Sequence, residues 1–376
     1  MKININKKTS KSLLIAASSL LLLSTAIFAV WNRTASISKI ALINFQPFQF
    51  ASFAQSNEDK FVKYENVELD NLSKLKNYDF VLGFGMGMQL TVEQREEIKQ
   101  IADKGTPLYI YAATNPDNNI CNLDSVKRKQ VSDYLRNGNK RNYQSLARYI
   151  RKEIDRKSFF LTPPDSVFET ASDVLYHLDE NFFFKEVDEY ENYLKKNGFY
   201  IDNAAKVAIV GGLNDPFSGN RANIDSLITT LQGAKLNVYP VSSGTKRLEF
   251  LKSIQPDAVI YFAHGRMAMG QADAAVEWLK SRNIPVFAPL SMLQSQQAWE
   301  EDAMGMFGGF MSQSIVMPEL DGAIYPYVLN VQEVDEEGLY LFKAIPERLK
   351  NFTQIVANFI ELKKKRNADK KLAIYY

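Results

Sequence analysis

Two stretches decide the fold: "YDFVLGFGMGM" (Tyr78–Met88) and "PDAVIYFAHGRMAMG" (Pro256–Gly270). Each is an apolar run that begins at an aspartate, Asp79 or Asp257, and closes in a glycine-containing turn. A short, unbroken apolar run bounded by turn residues is the pattern of a strand buried on both faces of a parallel sheet. The flanking segments match as well. "KIALINF" (Lys39–Phe45) precedes the first run and "KVAIVGG" (Lys206–Gly212) the second, while "TPLYIYAAT" (Thr106–Thr114) and "IPVFAPLS" (Ile284–Ser291) follow them. From Asp79 to Pro107 is 28 positions, and from Asp257 to Pro285 is again 28. That spacing leaves room for a strand, a turn and a crossover helix, so both halves are variants of one βαβ design.

The expected architecture is therefore α/β, with two flavodoxin-like or Rossmann-like lobes built on parallel sheets and a helical insertion between them. The lobes are expected at residues 37–122 and 206–345, with a mainly helical bridge at 123–205 that is rich in charge and tyrosine and is interrupted by Pro163 and Pro164. In the first lobe Thr91 and Gln94 form a capping box that opens a helix through "LTVEQREEIKQIADKG", and Gly105 stops it. Residues 346–376 read as a helix that runs into the basic tract Lys363–Arg366, and then as the start of a further, truncated domain whose strand is "DKKLAIYY".

Composition narrows the function. The 376 residues are 46% hydrophobic and 12% aromatic, enough apolar material for real cores. Lys and Arg number 45 against 43 Asp and Glu, so no global field draws the chain to nucleic acid. Cys121 is the single cysteine, which excludes an internal disulfide and a CxxC site.

At the N-terminus Lys2, Lys7, Lys8 and Lys11 precede Leu13–Trp31, a run of 19 residues without charge. As a helix it is about 28 Å long, sufficient for a transmembrane anchor within residues 1–36; the alternative is a cleaved signal peptide. The lysines place the N-terminus inside and the body outside the cytoplasm, on the periplasmic side of the inner membrane if the source is Gram-negative.

Motifs for common chemistries are missing. No P-loop occurs, "GGLNDPFSGN" (Gly211–Asn220) lacks the lysine, and no G-x-S-x-G is present. "GFGMGM" is GxGxG rather than GxGxxG, and reads as a tight strand-to-helix turn rather than a dinucleotide site. No nucleotide is expected on this chain.

The chain has two histidines. His264 aligns through the repeat with Met86 and falls at the carboxyl end of a parallel strand, the edge where ligands sit in open α/β sheets. A neutral imidazole there can bind a metal, Arg266 can pair with carboxylates, and Met267 and Met269 add soft apolar surface, a combination suited to an iron or cobalt tetrapyrrole. The competing reading is a structural strand-end histidine. His177, in an aromatic cluster, is either a core residue or part of a porphyrin face.

Taken in order, "YHLDENFFFKEVDEYENYL", "KVAIVGG", "NIDSLITTLQGAKLNVYPV", "PDAVIYFAHG" and "NIPVFAPLSMLQSQQAWEEDAMGMFGGFMSQSIVMPELDGAIYP" resemble the N-terminal part of the large subunit of cobalt chelatase and magnesium chelatase (CobN and BchH type). "PELDG" (Pro318–Gly322) is the most specific piece. The resemblance implies a tetrapyrrole substrate, haem or a corrinoid, into which metal is inserted or from which it is removed. It also implies the remainder of the large subunit as partner, together with chelatase ATPase subunits. The exporting N-terminus fits better the membrane-anchored relatives that accompany haem-uptake systems and act on iron in haem. A different class of function, an anchored two-lobe solute-binding module without catalysis, remains as the alternative.

Overall fold

The computed structural model describes residues 7–170, 172–179, 182–211 and 216–374, with side chains from Ala17 onward. The chain divides into two compact units: one holds residues up to Phe45, Ser56–Asn137 and Arg141–Phe168, the other Gln46–Gln55, Gly138–Lys140 and residues from Glu169 onward. In order, the first part of the chain forms α1 (Lys7–Thr34), β1 (Ser38–Ile43), α2 (Pro47–Ser56), β2 (Val62–Asn66), β3 (Phe80–Phe84), α3 (Val92–Asp103), β4 (Leu108–Tyr111), α4 (Ser125–Arg136) and α5 (Lys140–Tyr149). Next come β5 (Asp173–Tyr176), β6 (Phe183–Phe184), α6 (Val187–Lys196), β7 (Lys206–Gly211), α7 (Ala222–Gly233), β8 (Asn237–Ser243), α8 (Arg247–Ile254), β9 (Ala258–Phe262), α9 (Ala272–Arg282) and β10 (Val286–Ser291). The last elements are α10 (Gln296–Glu301), α11 (Gly308–Met311), α12 (Met317–Glu319), β11 (Ala323–Val334), β12 (Tyr340–Ala344) and α13 (Pro346–Lys364).

The first unit carries a four-stranded parallel sheet in the order β2-β1-β3-β4. α3 is capped as its sequence demands, with Thr91 Oγ1 accepting from Gln94 N and the Gln94 side chain accepting from Thr91 N. Its buried Ile98, Ile101 and Ala102 pack in one cluster with Ile43, Val81, Leu108 and Ile110 of the sheet. In "GFGMGM", Gly85 is explained by backbone approach: a Cβ there would lie 2.6 Å from Ala113 Cα. The turn after β3 meets the turn after β4 too closely for any side chain.

The second unit carries an eight-stranded sheet, β12-β11-β10-β9-β7-β8-β5-β6. Its five central strands, β8-β7-β9-β10-β11, are parallel, and β12, β5 and β6 are antiparallel additions at the two edges. Side chains alternate along the central strands between two cores. Val207, Ile209, Val238 and Ile260 meet α7 and α13 through Leu227, Ile228, Leu231, Phe352 and Val356. Ala208, Val210, Val259 and Tyr261 meet α6, α8 and α9 through Tyr190, Leu194, Leu251, Ile254 and Leu279. Each such aliphatic side chain contributes roughly 1.5–3 kcal/mol by leaving water.

The repeat expected from the sequence is present atom by atom. In the first unit Lys39 N donates to Asp79 Oδ2 (2.8 Å), Asp79 N donates to Lys39 O (2.9 Å), and Val81 N donates to Pro107 O (2.9 Å). In the second, Lys206 N donates to Asp257 Oδ2 (2.9 Å), Asp257 N donates to Lys206 O (2.8 Å), and Val259 N donates to Pro285 O (2.9 Å).

Three expectations are corrected or bounded. Residues 123–205 are not one helical bridge: α4 and α5 precede a division between units at Phe168, and β5, β6 and α6 belong to the second unit's sheet and its cover. The short aromatic runs "DVLY" and "FF" pair as edge strands, where two to four residues suffice because only one neighbour must be matched. Lys370–Ile374 form no strand, and the last two residues of the expected strand lie outside the described residues. Leu13–Trp31 falls inside the single helix α1, but among the described residues no helix is long and apolar enough to cross a membrane.

The end of α1 is fastened to the first sheet by Arg151, which is fully buried. A π-helical turn at Ile150–Ile154 brings its guanidinium to the carbonyls of Ser36 (2.7 Å), Phe159 (3.0 Å) and Phe61 (3.1 Å) and to Ser38 Oγ (3.1 Å). Ser38 Oγ donates in turn to Asp155, whose carboxyl is pushed up by burial, and Lys157 binds both Asp155 (3.4 Å) and the Asn32 carbonyl (2.9 Å). Replacing Arg151 by Met would orphan the part-buried carbonyls of Ser36, Phe61 and Phe159 at once and leave the buried Ser38 Oγ without its cation. Arg151→Met is expected to cost at least about 3 kcal/mol in the urea unfolding of the full chain, followed at Trp31, and an unchanged midpoint would count against this account.

Candidate functional site

The carboxyl ends of β7, β9 and β10 define one edge of the second sheet, and the order of its strands reverses direction between β7 and β9. Crossovers leaving a parallel sheet on opposite faces open a crevice at such a point. The loop Ala263–Met267 leaves β9 there, and it is tied down on nearly every residue. Ala263 O accepts from Ser314 Oγ (3.4 Å). Gly265 N donates to Gln313 O (2.9 Å), and Gly265 O accepts from Tyr261 Oη (3.0 Å). Gly265 has φ +95°, a conformation that only glycine adopts without strain, and a Cβ on it would press on Gln313 Oε1 at 3.1 Å. Arg266 Nε donates to Asp321 Oδ1 (2.7 Å), Met267 N donates to Asp321 Oδ2 (2.6 Å), and Met267 O accepts from Arg247 Nη1 (3.1 Å).

His264 is the exception in this loop. It is exposed, and among the described residues its ring makes no hydrogen bond. Its counterpart by the repeat, Met86, is also exposed, at 60%, and is also followed by a glycine of positive φ, Gly87 at +68°. A positive-φ glycine after an exposed residue is thus common to both loops, and the imidazole is particular to the second. Chemically it supplies one nitrogen donor. Among the described residues no three His, Cys, Asp or Glu side chains gather as a metal site, so a metal meeting His264 would bring its other donors with it.

Arg266 stands differently from its sequence reading. The carboxylate it pairs with is the chain's own Asp321, whose side chain is wholly buried, while Arg266 is 26% exposed. Both Nη nitrogens remain without a protein partner among the described residues, so they can still donate to a ligand, but in a field already half neutralised. Met267 is buried in the core and offers no surface; Met269 is 72% exposed. Asp321 is the residue that sequence reading passed over. It lies inside "PELDG", and only its distance from Arg266 in the chain, 55 positions, hid the pairing.

His177 is not at this edge. β5 runs antiparallel to β8, with Asp173 opposite Ser243 and Leu175 opposite Val241, so His177 lies toward the amino ends of the parallel strands. It is buried, with its ring against Tyr190, Tyr193 and Phe199 and its Nε2 2.9 Å from Gln232 Nε2. It is a core residue and presents no face to a porphyrin. A cavity of about 530 Å³ in this unit, beside β5 and α8, is lined by Asp173, Lys185, Lys246 and Glu249 and includes neither histidine.

Burial, assisted by the nearby Arg221 charge and opposed by the Gln232 hydrogen bond, pulls the His177 pKa down to about 4. The unfolded chain protonates this ring near pH 6.5 while the native chain does not until about 4. Native stability therefore falls as pH drops through that window, by up to about 3 kcal/mol from this group, and its contribution is constant below it. Chemical denaturation at several pH values should show a steeper loss between pH 6.5 and 4 for the wild type than for His177→Gln; parallel curves would contradict the assignment.

Comparison with known proteins agrees with this architecture. The family model described as CobN/Magnesium Chelatase matches residues 132–376. The magnesium-chelatase H-type chain of Chlorobaculum parvum is 24% identical over 216 residues, which are 53% of this chain and 16% of that protein. An uncharacterised protein of Methanocaldococcus jannaschii is 23% identical over 277 residues, 67% of this chain and 22% of that one. Among solved structures, the catalytic subunit of cobaltochelatase from Mycobacterium tuberculosis superposes with a TM-score of 0.60 at 16% identity, over 89% of this chain and 28% of that chain, a likeness of fold. The chain spans less than a quarter of the length of these two curated relatives. With the family match covering both the eight-stranded sheet and the His264 loop, the chain belongs to the CobN/magnesium chelatase family.

Proposed function

We propose that this chain is the part of a chelatase-type large subunit that meets the tetrapyrrole, and that the protein to which it belongs inserts a metal into that macrocycle or removes one from it. The observation that carries the reading is His264: an exposed imidazole without a protein partner, held on a tied loop at the ligand-facing edge of the sheet. Metal and macrocycle are both substrate here. His264 donates one nitrogen to the metal, and the Nη nitrogens of Arg266 hydrogen-bond a carboxylate side chain of the ring. Haem and a corrinoid are the two substrate types of suitable chemistry, with iron or cobalt as the metal.

Haem and a metal-free corrinoid titrated into the full chain separate metal recognition from recognition of the ring. Haem should shift its Soret band on binding, and His264→Ala should weaken that binding at least about tenfold while leaving the thermal midpoint within experimental scatter, because the side chain is exposed and makes no hydrogen bond among the described residues. Unchanged affinity with a lowered midpoint would make His264 a structural residue.

We propose further that the body of the chain works outside the cytoplasm. The support is the sequence of the N-terminus, four lysines followed by Leu13–Trp31, together with the exposure of Leu20, Leu21, Leu22, Leu23, Ile27 and Phe28 on α1. On this reading the run serves as an export signal for the residues C-terminal to it. In that compartment removal of iron from haem is the direction favoured, since cytoplasmic ATP is out of reach. Reporter fusions after Lys39 and at Tyr376 should be active only with a reporter that works outside; activity of a cytoplasmic reporter at both points would return metal insertion with ATPase subunits to first place.

A further inference from the structure

Asp321 sits at the turn between α12 and β11, one residue before Gly322 at φ +80°. Its side chain has no exposure to solvent. A buried carboxylate is costly unless its charge is paired and its lone pairs are occupied. Here both oxygens are occupied, and by consecutive residues of a single loop: the Arg266 side chain on one and the Met267 main-chain N–H on the other. A carboxylate serving general stability could bind anywhere in the fold. This one is spent entirely on the two residues that follow His264 and Gly265.

The remaining bonds of the loop complete the enclosure. Gln313 and Ser314 hold Gly265 N and Ala263 O, Tyr261 holds Gly265 O, and Arg247 holds Met267 O. His264 is left as the free side chain on a backbone fastened on both sides. A donor presented this way loses little conformational freedom when it binds, and partners one shell behind a metal donor govern its affinity.

We infer that Asp321 is a positioning residue for His264, holding Arg266 and Met267 so that the imidazole is presented in one orientation to an incoming metal-bearing ring. This rests on the reading of His264 as a metal donor. It also accounts for Arg266: with Nε on Asp321, its two Nη nitrogens stay open among the described residues.

The test uses the full chain and the fact that it contains two histidines, whose imidazole NMR signals are separable because one ring is buried and the other exposed. Asp321→Asn keeps the shape of the side chain and removes its charge. The His264 ring signal should sharpen as the ring gains motion, the His177 signal should stay as it is, and the haem dissociation constant should rise about ten- to a hundredfold. Should Asp321→Asn fail to fold, Arg266→Gln loosens the same clamp from its partly exposed side and is read by the His264 ring signal alone, because Arg266 itself is assigned a contact to the ring's carboxylate. A His264 ring as ordered in these variants as in the wild type overturns the inference. So does haem affinity that is lost in His264→Ala but unchanged in Asp321→Asn, an outcome that leaves the metal-donor reading standing. Haem affinity unchanged in His264→Ala removes that reading, and the clamp then has no ligand to serve.

Discussion

Parallel strands cannot be joined by hairpins, and from this constraint most of the molecule derives. Each neighbouring pair needs a crossover, so every carboxyl end emerges on one edge and every loop capable of chemistry is gathered there. In both units an aspartate fixes the register of the central pair by accepting from a residue at the start of the adjoining strand, Asp79 from Lys39 N and Asp257 from Lys206 N. A slip of one residue would break that bond and invert the alternation that feeds two separate cores in the second unit. The position of the His264 loop is thus determined seven residues earlier in the chain.

The parts of this fold that could be read in the sequence are those carried by local pattern. The parallel strands, the capping box on α3 and the 28-residue period all depend on residues close together in the chain, and all are present. The edge strands β5, β6 and β12 were harder, because a strand with a single neighbour needs few residues and little periodicity. "DVLY" and "FF" pass for fragments of a helical region until the sheet that receives them is known. The boundary between units fared likewise, since no composition change marks residue 168.

At the site, the type of residue was legible and its partnerships were not. His264 is at the sheet edge where the strand pattern put it. Arg266 and Asp321 read separately as a ligand-binding cation and as one letter of a family motif, and their bond at 2.7 Å joins segments 55 positions apart. The histidines show the same limit from another side. Both follow an apolar strand in sequence, yet the antiparallel direction of β5 sends His177 into the core, whereas the parallel direction of β9 brings His264 to the surface. Strand direction depends on pairing, and pairing is not written in either short run.

The loop after β9 has a consequence for how such proteins change. Its shape is determined by Gly265 and by bonds to the main chain, and its counterpart in the first unit holds an exposed residue before a positive-φ glycine with methionine in place of histidine. The side chain before that glycine is exposed in both units. It marks a position where a single substitution exchanges a thioether for an imidazole at the mouth of a strand, with the glycine behind it unchanged.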